Sequence, residues 1–141
     1  MESIGCLNDQ DVEYPLEFYN FFKQIDCHFI QFAPIVERIV RRADGLSLAS
    51  SDETGGQLTP YSITAEQWGD FLCDLFDERI KADVATYFIQ LFDATLSGWV
   101  GVLPGVCTLA QQCGHAGVME WNGDVYSCDH FSYQVTVKGR W

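Results

Sequence analysis

Basic residues are scarce in this 141-residue chain: Lys and Arg number 8 against 20 Asp and Glu, and the formal net charge is −12. Such a charge repels phosphate backbones and anionic lipid headgroups, which argues against a nucleic-acid partner and against a membrane surface. No apolar run approaches the roughly 20 residues of a membrane-spanning helix. The first residues also lack the basic stretch and apolar run of a secretory signal. We therefore expect a cytoplasmic protein.

Enough apolar residues are present to build one core, since 48% of the chain is hydrophobic and 14% is aromatic. The length suits a single domain of ordinary size. In a reducing compartment the six cysteines are thiols, metal ligands or catalytic groups, and seldom disulfides. Cys6, Cys27 and Cys73 each lie inside an apolar pattern, so we expect them to be buried as small hydrophobic side chains.

Hydrophobic periodicity predicts an α/β fold. Residues 15–25 favour a helix that begins at a proline, between a strand ending near residue 7 and a buried strand over 28–36. Residues 41–62 are polar and glycine-rich and predict a long loop. Thr64 and Gln67 form a capping box that opens an amphipathic helix. A strand over 86–92, a helix over 93–99 and a hairpin of 116–121 with 124–128 around a type I′ turn at Asn122-Gly123 are predicted beyond it.

Three further cysteines, Cys107, Cys113 and Cys128, follow the spacing C-x5-C-x14-C among glycines and polar residues. Three thiolates that converge would select zinc, copper(I) or an iron–sulfur cluster. No C-x2-C pair, the usual mark of a structural zinc site, occurs in the chain. His115 or His130 could supply a fourth ligand, although an ordinary hydrogen-bonding role ranks ahead for either. Spacing alone leaves both a metal or cluster site and unligated thiols open.

The motif CGHAGVMEWNGDVYSCDHF, residues 113–131, resembles the auxiliary cluster (SPASM) region of the anaerobic sulfatase-maturating enzymes, a radical S-adenosylmethionine family. The resemblance extends to PLEFYNFFKQIDCHFIQFAPIVER, residues 15–38, which is similar to a late helix and strand of the family's barrel. The segment GDFLCDLFDERIKADVATYFIQLFDATLSGWVG, residues 69–101, is similar to the family's link between barrel and cluster region. Together these matches cover roughly residues 6–131.

This resemblance implies an enzyme that oxidises a sulfatase Cys or Ser side chain to Cα-formylglycine. In the family, a [4Fe–4S] cluster cleaves S-adenosylmethionine to a radical that removes a substrate hydrogen, and auxiliary clusters take the electron. Cys107, Cys113 and Cys128 match three ligands of the first auxiliary cluster, and Asp129 matches the base. Gln31 and Val36 match part of the S-adenosylmethionine pocket. A ligand at Cys128 would hold Asp129 on rigid scaffold beside the metal.

Several positions depart from the family's pattern. The radical-cluster motif C-x3-C-x2-C is absent from these residues, as are the cysteines that would complete both auxiliary clusters. Arg79 stands where the family usually has Trp, and Ala85 where it usually has Gly. The chain is therefore interpreted as a fragment: residues 1–101 as the C-terminal part of a partial (β/α) barrel with a linking helix, and residues 102–141 as a truncated SPASM-type hairpin region with a divergent tail.

On this interpretation the polypeptide is expected to be inactive by itself. The resemblance implies that a sulfatase peptide is the substrate partner of the full-length family. The unpaired strand edges of a partial barrel would also favour self-association. The alternative function is a stand-alone thiolate metal-binding or partner-binding module without catalysis. A third interpretation is a gene remnant whose cysteines bind nothing.

Overall fold

A computed structural model describes residues 1–43, 45–49, 55–112 and 117–128. The predicted mixture of helices and strands is confirmed. The helices are α1 (Pro15–Gln24), α2 (Ala65–Ala82) and α3 (Gln90–Trp99). The strands are β1 (Glu2–Leu7), β2 (Phe29–Pro34), β3 (Arg38–Arg42), β4 (Gly45–Leu48), β5 (Gln57–Leu58), β6 (Phe88–Ile89), β7 (Val118–Met119) and β8 (Val125–Tyr126).

A parallel sheet of order β1-β2-β6 forms the centre of the fold. The predicted strand–helix–strand unit is present: β1 leads through α1 to β2, and the two strands pair in parallel from Glu2↔Phe29 to Leu7↔Pro34. Helix α1 begins at its proline, which has no N–H to lose in the first turn. Asp26 then adopts a left-handed backbone (φ 56°) and turns the chain into β2.

The second sheet corrects a prediction, because part of the expected loop over 41–62 is regular structure. Strands β4, β3 and β5 form an antiparallel sheet in that order, with Ile39 paired to Leu48 on one side and to Gln57 on the other. The strands are short and their side chains are mostly exposed or half-buried. A weak hydrophobic alternation among glycines gave no clear strand signal.

Helix α2 begins as predicted. The Thr64 hydroxyl accepts a hydrogen bond from the Gln67 N–H (3.2 Å), and the Gln67 side chain accepts one from the Thr64 N–H (3.0 Å). Phe71 and Leu75 are buried, whereas Phe76 at the same predicted face is 45% exposed.

The predicted strand over 86–92 is mostly wrong. Strand β6 has two residues, which pair with Phe29 and Ile30 of β2, and helix α3 starts at Gln90 rather than at residue 93. The helix ends before Gly101, whose positive φ of 78° fits the expected glycine stop.

The core lies on one face of the parallel sheet, between the strands and the helices α1 and α2. Phe32 of β2 makes edge-to-face contacts with Phe22 of α1 (5.8 Å) and Phe71 of α2 (5.2 Å). Gly5 of β1 lies against the same Phe22 and Phe32 rings, where a Cβ would be 3.3 Å from the latter. In the described part of the chain, no helix has the length and apolar character to cross a membrane.

Candidate functional site

The described residues leave much of the opposite face of the parallel sheet uncovered, although α3 borders it beside Phe29 and Phe88. Ile4, Cys6 and Phe29 are exposed on it, and the Phe29 and Phe88 rings stack with centroids 5.1 Å apart. Parallel sheets are normally buried on both faces. This uncovered surface, defined by Ile4, Cys6, Phe29, Gln31 and Phe88, is called the open face.

Gln31 and Val36, the residues predicted to bind cofactor, lie on and just beyond β2. Gln31 is half-buried and pairs in register with Ile4 on the open face. Val36 lies two residues past the end of β2 and is exposed. The carboxyl ends of parallel strands are where ligands bind in α/β folds. The structure thus places both residues on the side and end of the sheet where a ligand can reach.

Residues after β2 are fixed at this carboxyl end by hydrogen bonds to the segment before α2. The Glu37 N–H donates to the Ser62 hydroxyl (2.9 Å), and the Tyr61 hydroxyl donates to the Glu37 carboxylate (2.6 Å). The Asp9 N–H, after β1, donates to the Tyr61 carbonyl (3.1 Å). The loops around the predicted cofactor residues are therefore tied together.

Cys107 opens a single 3₁₀ turn, Cys107–Leu109, and its side chain is exposed. The turn is closed by the Ala110 N–H, which donates to the Cys107 carbonyl (3.1 Å). It packs against α3. An exposed thiol on a hydrogen-bonded turn is available as a ligand without any opening of the core.

Cys128 follows the hairpin of β7 and β8, which is present where it was predicted but with two-residue strands. The Gly123 N–H donates to the Glu120 carbonyl, and the Glu120 N–H donates to the Asp124 carbonyl, each at 2.9 Å. Of the two turn residues predicted to have positive φ, Gly123 does (87°) and Asn122 does not. The predicted type I′ turn is therefore wrong, and the geometry is that of a three-residue loop with a left-handed glycine.

The half-buried Cys128 stands at the exit of this hairpin. Cys113 and Asp129, like His115 and His130, lie outside the described residues. Within the described ranges, no group of three or more His, Cys, Asp or Glu side chains could hold a metal ion. The donor set still suits a soft metal centre, because thiolates select iron–sulfur clusters and zinc, and the two described thiols are not sealed in the core.

Of the three cysteines expected to be buried, one is. Cys27 is fully buried, and its thiol donates toward the carbonyls of Met1 and Phe29 (3.4 Å each). Cys6 on the open face and Cys73 on the outer side of α2 are exposed. Their apolar neighbours in the sequence misled the prediction, because the open face is apolar without being covered.

Sequence reasoning missed an ion network that joins all three helices. Asp83, 8% exposed, accepts hydrogen bonds from the Tyr19 hydroxyl (3.0 Å) and the Lys23 ammonium (2.6 Å) of α1. Burial raises the pKa of the Asp83 carboxyl, but the hydrogen bonds from Lys23 and Tyr19 outweigh it and leave this pKa below its usual value. Burial, followed by the hydrogen bond to the Asp83 carboxylate, raises the pKa of the Tyr19 hydroxyl.

Arg79 is the second centre of that network. It is 5% exposed and forms an ion pair with Asp93 of α3 (2.6 Å). The sequence did carry a signal, because Phe71, Leu75 and Arg79 recur every four residues and so lie on one face of α2.

His28 stacks on Tyr87 with ring centroids 4.8 Å apart. Its two ring nitrogens lie 2.9 Å from the Thr86 carbonyl and 2.9 Å from the Asp26 carboxylate. Both partners are acceptors, so the imidazolium form satisfies both. The Thr86 carbonyl first and the Asp26 carboxylate second raise the pKa of His28.

Comparison with known proteins shows which enzymes the chain is similar to. No family model matches the chain. The serine-type anaerobic sulfatase-maturating enzyme of Bacteroides thetaiotaomicron is 62% identical to it over 132 residues, which cover 93% of this chain and 32% of that enzyme. The chain is related to the anaerobic sulfatase-maturating enzymes. The cysteine-type enzyme of Clostridium novyi is 29% identical over 146 residues, 93% of this chain and 36% of that enzyme.

Solved structures of anSMEcpe share the fold. Native anSMEcpe with bound AdoMet and the same protein with AdoMet and the Cp18Cys peptide each match with a TM-score of 0.71, at 21% and 23% identity. Both cover 99% of this chain, and 34% and 35% of anSMEcpe respectively. The chain thus spans about a third of the length of the sulfatase-maturating enzymes that it matches.

Proposed function

We propose that this chain is a segment of a radical S-adenosylmethionine enzyme that oxidises a sulfatase Cys or Ser to Cα-formylglycine. The main support is its 62% identity, over 93% of its residues, to a serine-type anaerobic sulfatase-maturating enzyme. Residues 1–101 would belong to the barrel and its linking helix, and residues 102–141 to the auxiliary cluster region. The bound AdoMet and the Cp18Cys peptide of the anSMEcpe structure suggest the cofactor and the class of substrate.

Cys107, Cys113 and Cys128 would supply three ligands to an auxiliary [4Fe–4S] cluster. When bound, such a cluster accepts an electron from the substrate. The described thiols fit this role, because Cys107 is exposed on a closed turn and Cys128 ends a hairpin whose backbone is fixed by its glycine turn.

Asp129 would act as the base that takes the proton from the substrate thiol or hydroxyl. A general base must lie within hydrogen-bond distance of the proton that it removes. Its neighbour Cys128, bound to the cluster, would hold the backbone at that distance. Gln31 on the open face and Val36 beyond β2 would line the S-adenosylmethionine pocket.

The ligand set is tested by anaerobic reconstitution of the 141-residue polypeptide with iron and sulfide, followed by iron and sulfide analysis. We expect bound iron that is lost in each of Cys107→Ala, Cys113→Ala and Cys128→Ala. Cys73→Ala is the matched control, because its thiol is exposed on α2, outside the proposed set. Iron binding that survives all three substitutions would overturn the assignment. Zinc held in its place would favour the thiolate metal-binding module.

The catalytic assignment is tested by grafting residues 6–131 into the Bacteroides thetaiotaomicron enzyme in place of its matching segment. We expect the chimera to form formylglycine in a sulfatase peptide, and Asp129→Asn to abolish this activity. Asp74→Asn, at an exposed carboxylate of α2, is the control and should remain active. The isolated 141-residue polypeptide should form none, because it contains no C-x3-C-x2-C motif. An active D129N chimera would rule out Asp129 as the base.

A further inference from the structure

The Arg79 side chain makes two hydrogen bonds, one on each side of the short strand β6. The side chain leaves α2 near the helix end, where it is 7% exposed. The Nε–H donates to the Tyr87 carbonyl (2.9 Å), immediately before β6, and Nη2 donates to Asp93 Oδ1 (2.6 Å), in the first turn of α3. One guanidinium therefore connects α2 to the chain on both sides of β6.

Asp93 depends on this contact. Among the described residues its other carboxylate oxygen, Oδ2, is buried and has no hydrogen-bond partner. The Asp93 carbonyl accepts a hydrogen bond from the Ser97 hydroxyl (2.8 Å), one turn further along α3. The Asp93 side chain is 31% exposed, but its buried Oδ2 and the nearly buried guanidinium make separation of this pair costly, so Arg79 fixes the first turn of α3 with respect to α2.

Helix α3 leads from this contact to the cysteine turn. The helix packs against Cys107–Leu109, and the two, with the connecting residues 101–104, line an open cavity of about 660 Å³. The cavity is lined by Ala94 and Trp99 of the helix and by Leu109 of the turn. The Val102 N–H donates to the Ser97 carbonyl (2.9 Å), which fixes how the chain leaves the helix. Because the turn packs against α3 and the chain leaves the helix through a fixed hydrogen bond, we expect a shift of α3 to move Cys107.

We infer that Arg79 is a positioning residue for the metal centre: by fixing the start of α3, it sets where Cys107 lies relative to the sheet. The inference rests on the proposed function in assigning Cys107 as a ligand. A lysine cannot replace Arg79 in this role, because its single ammonium lacks the planar fork that reaches the Tyr87 carbonyl and the Asp93 carboxylate together.

The placement of Cys107 is tested without any metal, by electron spin resonance between spin labels on Cys73 of α2 and Cys107. Both thiols are exposed, and Cys27 is fully buried, so Cys6, Cys113 and Cys128 are replaced by serine. We expect a narrow distance distribution in the parent and a broadened or shifted one in Arg79→Met and Arg79→Lys. The control is Lys81→Met, which removes the cation of an exposed ion pair with Glu78 on the same helix. An unchanged distribution in R79M would overturn the inference.

A double variant, Arg79→Met with Asp93→Leu, separates positioning from stability. Apolar replacement of both members of a buried ion pair is often neutral for stability. We expect its thermal midpoint to recover toward that of the parent while the spin-label distribution stays broad. If the thermal midpoint and the narrow spin-label distribution both recovered, Arg79 would contribute to stability alone and the inference would be overturned.

Iron binding by the chain with all six cysteines gives the second measurement. Substitution of groups bonded to metal ligands commonly weakens binding about 10- to 100-fold. Arg79 acts on Cys107 only through α3, so we expect R79M to lose iron to a chelator about tenfold faster than the parent or Lys81→Met, the lower end of that range. Parent protein that binds no iron would defeat the proposed ligand set, and the spin-label distances would then decide on Arg79 alone. Equal rates of loss in the parent and R79M would overturn the inference.

Discussion

Ala85 adopts a left-handed backbone conformation (φ 66°) in the turn between α2 and β6. The turn is closed by the Thr86 and Tyr87 N–H groups, which both donate to the Asp83 carbonyl at 3.0 Å. Residues with a Cβ pay about 1–2 kcal/mol in this region, and glycine does not. The resemblance noted in the sequence already pointed to glycine at this position, and the backbone geometry supplies the physical reason.

Ala85→Gly should therefore stabilise the protein, by about 0.5–1 kcal/mol after the greater chain entropy of unfolded glycine is subtracted. The measurement is urea unfolding followed by circular dichroism. Ala82→Gly is the control. Ala82 ends α2 without a positive φ, so glycine there relieves no strain and should lower the stability of the protein. Equal effects at both positions would contradict the strain at Ala85.

His28 makes stability depend on pH. The unfolded pKa of histidine is about 6.5, and the folded pKa is raised by the Thr86 carbonyl and the Asp26 carboxylate, which outweigh the lowering effect of desolvation. Its contribution is fully present below the unfolded pKa and is lost as pH rises through the folded pKa. The thermal midpoint of the parent should therefore fall as pH rises from about 6.5 through the folded pKa of His28. The His28→Gln variant should not show this fall. A His28 ring resonance that titrates below pH 6.5 would refute the assignment.

At the scale of elements, the sequence predicted best where a local signal agreed with the packing. The capping box at Thr64 and the proline at the start of α1 mark helix starts that need no tertiary help. The length of β6 was overestimated and the β3–β5 sheet was missed, because two- to five-residue strands are set by their pairing partners. The cysteines show the same limit: burial of Cys6 depends on what covers the open face, which local apolar patterning does not encode.

The Asp83 contacts hold α1 against the end of α2. Asp83→Asn removes the charge that pairs with Lys23, and leaving that ammonium without its partner should cost about 1–3 kcal/mol. Tyr19→Phe removes a single hydrogen bond to the same carboxylate and should cost about 1 kcal/mol. Urea unfolding of both variants checks the order. A larger loss in Y19F than in D83N would show that the ion pair is the weaker contact.

At the scale of the whole molecule, the open face has the character of a surface that is normally covered. A parallel sheet is ordinarily packed on both sides, yet Ile4 and Phe29 are 59% and 51% exposed. The chain spans about a third of the related enzymes, so in them further chain is available to pack against the equivalent surface. In the 141-residue polypeptide the same surface is available to a second copy.

We therefore expect the isolated polypeptide to self-associate through the open face. Burial of one phenylalanine side chain contributes about 1.5–3 kcal/mol, and Phe29→Lys removes this gain and adds a charge. Sedimentation velocity over a concentration series should show association in the parent and its loss in F29K. Phe21→Lys is the matched control, because Phe21 is 52% exposed on α1, away from that face. Since the net charge of −12 opposes association, added salt should strengthen it in the parent by screening. Association that survives F29K but is abolished by F21K would place the contact on the helices instead.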